Sequence, residues 1–166
     1  IGVFQDCNNL TEIALPFIGA SFEDSEITWF GYIFGAGDYS ANDVYVPETL
    51  AEVTISEGIT IVGKGAFWKC KNIQIINVPD SVMLLEYGAF GGTCAAYQFS
   101  HKVEFTSEWA MRHVSPYGWA ESPLGSGITG AFIFSGSYSK VPEYFLAETN
   151  IISLIIEEGV TEIEEN

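Results

Sequence analysis

The dipeptide Ala66-Phe67 returns as Ala89-Phe90, 23 residues later, and the text leading to the two pairs keeps step. Laid over one another without a gap, Leu50, Val53, Ile55, Ile59, Val62, Ala66 and Phe67 fall on Ile73, Ile76, Val78, Val82, Leu85, Ala89 and Phe90. Every pair is apolar. Self-similarity at such a period marks a chain built of small units, none of which can bury its apolar face alone. Stacking the units is what makes a continuous core.

The same columns recur elsewhere. Near the end, Ile151, Leu154, Ile156, Val160 and Ile163 join the register, and the start supplies Val3, Phe4, Cys7, Leu10, Ile13 and Leu15. Two weaker copies lie between. Val103 and Phe105 repeat the two-apart spacing of Ile76 and Val78, as do Phe132 and Phe134, followed by Val141 and the Phe145-Leu146 pair. Strands are expected to centre on Ala14, Thr54, Asn77, Glu104, Ile133 and Ile155, with insertions at about residues 17–46 and 95–127.

One unit shows the physics. Alternation across Ile76-Asn77-Val78 is strand geometry, two side chains to one face and one to the other. Pro79-Asp80-Ser81 stops the strand and turns the chain. Val82 and Leu85 bring it back over the core, Gly88 permits a tight bend, and Phe90 plugs the far edge. Coils rise by one strand spacing, about 4.8 Å. The expected fold is a solenoid whose short parallel strands stack in one sheet along one side, with many turns and little helix.

The segments "CNNLTEIALP", "CKNIQIINVPDSVMLLEYGAF" and, less fully, "TNIISLIIEEGVTEI" carry the order C-x-x-L-x-x-I-x-I-P-x-x-V-x-x-I-x-x-x-A-F. This pattern resembles the BspA-like leucine-rich repeats. "LPFIGAS", "FGYIFGAGDYS" and "YVPETL" are similar to phrases found between repeats of that family. The resemblance is good over residues 1–94 and 128–166 and poor over 95–127. It implies a single leucine-rich-repeat domain over residues 1–166. It also implies a secreted or surface-anchored bacterial protein, with adhesion to proteins as the known activity of a few relatives and no catalytic residues. The chain opens on the tail of a unit and stops before the next Ala-Phe, so a stretch of a longer array is expected, with ends that fray or self-associate.

Charge narrows the partners. The formal net charge is −16, with only 6 Lys plus Arg. Such a field repels phosphate backbones and anionic lipid, so nucleic acid and acidic membranes are poor partners, and the acidity serves solubility or a basic partner. No apolar run is long enough to span a membrane as a helix. With 48% apolar and 14% aromatic residues, the chain is not disordered.

Reactive chemistry is sparse. Cys7 and Cys70 share one column and read as small buried residues too far apart for a disulfide. Cys94 lies one coil from Cys70, where a bridge is conceivable. No C-x-x-C spacing suggests zinc. His101 and His113 lack partners at ligand or triad spacing and read as rim residues. "GAGD" and "GSGITG" are turn text, not phosphate loops. The acidic runs at 22–26 and 156–165 lack the spacing of a calcium loop, although Asp38, Asn42 and Asp43 could hold calcium weakly. No cofactor is expected.

Two surfaces remain. Between the core positions of the strands, Thr54, Asn77, Glu104, Ile133 and Ile155 are expected to face solvent, on the kind of extended face that repeat solenoids use for recognition. Ile133 and Ile155, if adjacent, would form a sticky spot or lie under an insertion. The insertions carry aromatics among Gly and Ser, including Trp29 and Trp119. These either form a platform for a glycan or a protein, or fold back as plugs, and plugging is the preferred reading. The expected function is a non-enzymatic recognition or adhesion module that binds a host or neighbouring-cell protein, such as a matrix or mucus protein. The alternatives are a spacer displaying other domains and a carbohydrate-binding module that uses the insertion aromatics.

Overall fold

The computed structural model describes residues 1–165. Its strands are β1 (Glu12–Leu15), β2 (Glu52–Ile55), β3 (Ile61–Val62), β4 (Ile75–Asn77), β5 (Leu84–Leu85), β6 (Glu104–Phe105), β7 (Thr129–Phe134), β8 (Lys140–Val141), β9 (Asn150–Ile156) and β10 (Glu162–Ile163). Helix is confined to one α-helical turn, Asn42–Tyr45, and three short 3-10 segments. Every pairing between these strands is parallel. The chain is therefore the expected solenoid of stacked parallel strands.

The columns align as the repeat requires. Val53 pairs with Ile76 and Thr54 with Asn77 across β2 and β4, and Val62 pairs with Leu85 across β3 and β5. Side chains alternate: Val53 and Ile55 are buried while Glu52 and Thr54 face outward. Burial of Val53, Ile55, Ile76, Val62 and Leu85 builds one core with the Phe67 and Phe90 plugs. Each such side chain contributes about 1.5–3 kcal/mol when fully removed from water. The two plugs stack with ring centroids 5.6 Å apart and planes 15° from parallel.

The strands form two ladders rather than a single sheet. The first runs β1-β2-β4, crosses to residues 96–97 through the Ile75–Ala96 bridge, reaches Ile128 through the Tyr97–Ile128 bridge, and ends in β7-β9. The second consists of two-residue strands, β3-β5-β6 and β8-β10. Glu104 lies in this second ladder, opposite Leu84, and so does not continue the row of Thr54 and Asn77. Its neighbours Val103 and Phe105 are buried as expected, but Ala96 to Gln98 take the place in the first ladder.

Coils close through a repeated turn with two left-handed positions four residues apart. Gly65 and Lys69, Gly88 and Gly92, and Tyr144 and Glu148 all have φ between 56° and 69°. The bonds repeat too: the Trp68, Gly91 and Ala147 amides donate to the carbonyls of Gly65, Gly88 and Tyr144 at 3.1 Å. Glycine is the ordinary occupant because a Cβ clashes in this region.

The insertions prove to be partly regular. Within residues 17–46, the Phe30 amide donates to Ala66 O at 2.8 Å, as the Phe67 amide does to Ala89 O at 2.7 Å. Phe30 thus continues the plug column, 5.5 Å from Phe67. Asn42 locks this layer. Its fully buried side chain accepts from the Gly31 amide at 2.9 Å and donates to Gly65 O and Ala66 O at 3.1 and 3.2 Å. Residues 95–111 form a degenerate coil, with Tyr97, Phe99, Val103 and Phe105 in the core. The true excursion is 112–121, tied at its base by reciprocal amide–carbonyl bonds between Val114 and Glu121.

Candidate partner-binding surfaces

The outward row of the first ladder begins polar. Asn77 Nδ2 donates to Glu52 Oε1 at 2.7 Å and to Thr54 Oγ1 at 3.0 Å, so a hydrogen-bonded lattice spans two coils. Ala96 and Gln98 follow on the exposed side. The row ends apolar: Ile133 and Ile155 stand opposite one another in register, Ile133 half-buried and Ile155 52% exposed. The expected adjacency holds. In β9 the interior columns are open as well. Leu154, Ile156 and Ile163 are exposed, whereas their counterparts Val53, Ile55 and Val62 are buried.

Glu104 holds the coils together. Its carboxylate accepts from the hydroxyls of Ser135 at 2.8 Å and Ser137 at 3.2 Å, with Lys102 Nζ 3.7 Å away. Lys102 also pairs with Glu157 at 3.1 Å, and Glu157 accepts from the Gly136 amide at 3.0 Å. That amide, and then Lys102, hold the Glu157 carboxyl below its ordinary range. These lone pairs are engaged within the chain, which leaves Glu104 a stitching residue.

Trp29 is also spent internally. Its indole N–H donates to Ala36 O at 3.0 Å and its ring meets Tyr32 edge-on. Phe30 and Phe34 fold back into the core and Tyr32 packs against it, whereas Phe22 stays 63% exposed and Tyr45 43%. Phe22 overhangs a cleft of about 210 Å³ between residues 17–28 and the start of β3, with Ile61, Glu23, Asp24 and Glu86 on its walls.

Trp119 stands apart, 61% exposed on the 112–121 excursion. A second cleft, of about 230 Å³, brings it together with Tyr117, Glu121 and Glu148, with Thr93, Ser122 and Ser126 behind. Thr93 and Ser122 are buried, and their hydroxyls donate to the carbonyls of Cys70 at 3.1 Å and Phe145 at 2.5 Å. Burial pushes the Glu121 carboxyl above its ordinary range; the hydrogen bond from Trp119 opposes this and the charge of Glu148 adds to it. The Tyr117 phenol is pushed up to about 12, by burial first and then by Asp43 and Glu121. Sequence reasoning missed Tyr117, Glu121 and Glu148 as a group. Their only signal was a run that broke the repeat, because the cleft joins one coil's excursion to the next coil's turn.

The cysteines and histidines carry ordinary duties. All three thiols are free; Cys70 is buried, and burial together with Asp43 keeps it protonated. His101 bonds Ser100 Oγ and Val82 O, and Ser100 Oγ donates to Asp80 at 2.5 Å. The imidazole thus ties two coils through the Val82 carbonyl. Among the described residues no group of three or more His, Cys, Asp or Glu is placed to hold a metal, and no helix is long and apolar enough to cross a membrane.

Parallel ladders stacked coil on coil, with phenylalanine plugs and recurring left-handed turns, define a leucine-rich-repeat-type solenoid. Residues 41–113 match the family model described as BspA type leucine rich repeat region (6 copies). No curated protein and no solved structure matches the chain.

Proposed function

We propose that the chain is a non-enzymatic recognition module of a secreted or cell-surface bacterial protein, adhering to a protein of a host or neighbouring cell. The observation that carries this reading is the outward row of the first ladder. It is rigid, because each of its residues sits on a strand hydrogen-bonded into the stack. It passes from the donors and acceptors of Glu52, Thr54 and Asn77 to the paired isoleucines Ile133 and Ile155. Protein interfaces combine an apolar patch with hydrogen-bonding groups beside it, and this row offers both. The leucine-rich-repeat stretch supports the reading, since repeat solenoids present such extended faces to protein partners.

The test is binding of the purified protein to immobilised matrix and mucus proteins. Saturable binding weakened at least about tenfold by Asn77→Ala or Ile155→Asp supports the assignment, since an interfacial anchor contributes about 2 kcal/mol or more. Absence of binding across the panel favours a spacer that displays other domains.

A further inference from the structure

We propose that the cleft between the 112–121 excursion and the turn at Glu148 binds a cationic side chain, a lysine ammonium or an arginine guanidinium, presented by a protein partner. The inference rests on the protein-recognition reading for its partner and adds the place and the chemistry.

The walls of the cleft supply both halves of a cation site. The indole of Trp119 and the phenol of Tyr117 lie with centroids 6.0 Å apart and planes 33° from parallel. Aromatic faces attract an ammonium or guanidinium through the ring quadrupole. Glu121 and Glu148 add carboxylates from two different coils. None of the described residues lining the cleft is basic, so both carboxylates border it without a counterion from its walls. Lys69 is the nearby cation, but it lies over the Tyr117 ring at 5.7 Å and is paired with Asp43 at 3.8 Å.

The site is also built in advance. The reciprocal Val114–Glu121 backbone bonds fix the base of the excursion. At Gly92, with φ 69°, a Cβ would meet Pro116 at 2.9 Å and Tyr117 at 3.3 Å, so only the bare backbone lets the excursion lie flat on the coil. Tyr117 contributes a ring and no charge: its hydroxyl is enclosed, without a hydrogen-bond partner among the described residues.

A cation satisfies this arrangement better than a neutral sugar does. A sugar would stack on the indole but leave the Glu121–Glu148 repulsion in place. A cation relieves it, and a basic partner is drawn by the net charge of −16.

The experiment titrates the intact protein with a terminally blocked Gly-Lys-Gly peptide, following tryptophan fluorescence and heat. The same peptide acetylated on the lysine Nε, and lactose, serve as comparisons. The expected result is saturable binding in the millimolar range that weakens with salt. It falls about tenfold in Trp119→Ala and in Glu148→Gln but not in Asp24→Asn, which alters the other acidic cleft. Thermal melting confirms that each variant is folded. Equal binding of the acetylated peptide, binding of lactose alone, or indifference to both cleft substitutions overturns the proposal. If matrix-protein binding survives Trp119→Ala and Glu148→Gln unchanged, the cleft is dismissed and protein recognition stands. If the lysine peptide binds as expected while the protein panel gives nothing, the cleft stands and the adhesion reading falls.

Discussion

A Cβ placed on Gly88 would stand 2.6 Å from the Cε3 and Cζ3 atoms of Trp68, one coil below. The indole lies flat on a backbone that must stay bare, and the same φ of 65° that closes the turn also excludes a side chain. Gly88→Ala therefore combines left-handed strain with overpacking. A loss of about 2–4 kcal/mol is expected, read as a lower urea midpoint.

Glu148 is the converse case. It holds φ 57° at the place where Gly92 sits one turn earlier in the repeat pattern. Glu148→Gly removes the strain and also relieves Glu121, so stability rises by about 1 kcal/mol despite the added freedom of the unfolded chain. An unchanged or lower denaturation midpoint would contradict the assignment of strain to this turn.

Asn42 joins three backbone groups of two layers with one buried amide. Asn42→Ala leaves the Gly31 amide and the Gly65 and Ala66 carbonyls without this partner. About 3 kcal/mol is lost, and the Gly31 amide exchanges its hydrogen faster.

Glu157 and Glu121 have opposite effects on pH dependence. The carboxyl of Glu157 is held low in the folded chain, so its contribution is present above the ordinary glutamate range and disappears as pH falls through the folded value. Glu157→Gln should therefore lower the melting temperature at pH 7 and make little difference under strongly acidic conditions. Glu121 is raised, so its ionised form works against folding as pH climbs above the ordinary glutamate value. Glu121→Gln should raise the melting temperature at pH 7 and have less effect in acid.

The 23-residue register was legible because Val53, Val62 and Phe67 each bury an apolar side chain at the same place as Ile76, Leu85 and Phe90. The role of Glu104 was not. Val103 and Phe105 alternate like a first-ladder strand, and a two-residue strand carries no period by which to assign it to either ladder. The place of Phe30 in the plug column was hidden by the excursion before it. Of the surface residues, Thr54, Asn77, Ile133 and Ile155 lie on the expected row. Trp29, an insertion aromatic, folds back as the preferred reading had it, but the Ala36 carbonyl that holds its indole is an acceptor no side-chain pattern announces. Trp119 was legible as an exposed aromatic, but its carboxylate neighbours come from a distant turn and meet only in three dimensions.

The backbone ladders join each coil to the coils beside it, and only side-chain ties such as Lys102–Glu157 reach further, so under axial tension the coils can yield one at a time. A unit about 4.8 Å tall in the stack releases roughly 75 Å of contour when its 23 residues straighten. Stepwise opening of this kind lengthens the chain by whole coils while the remaining coils keep their packing.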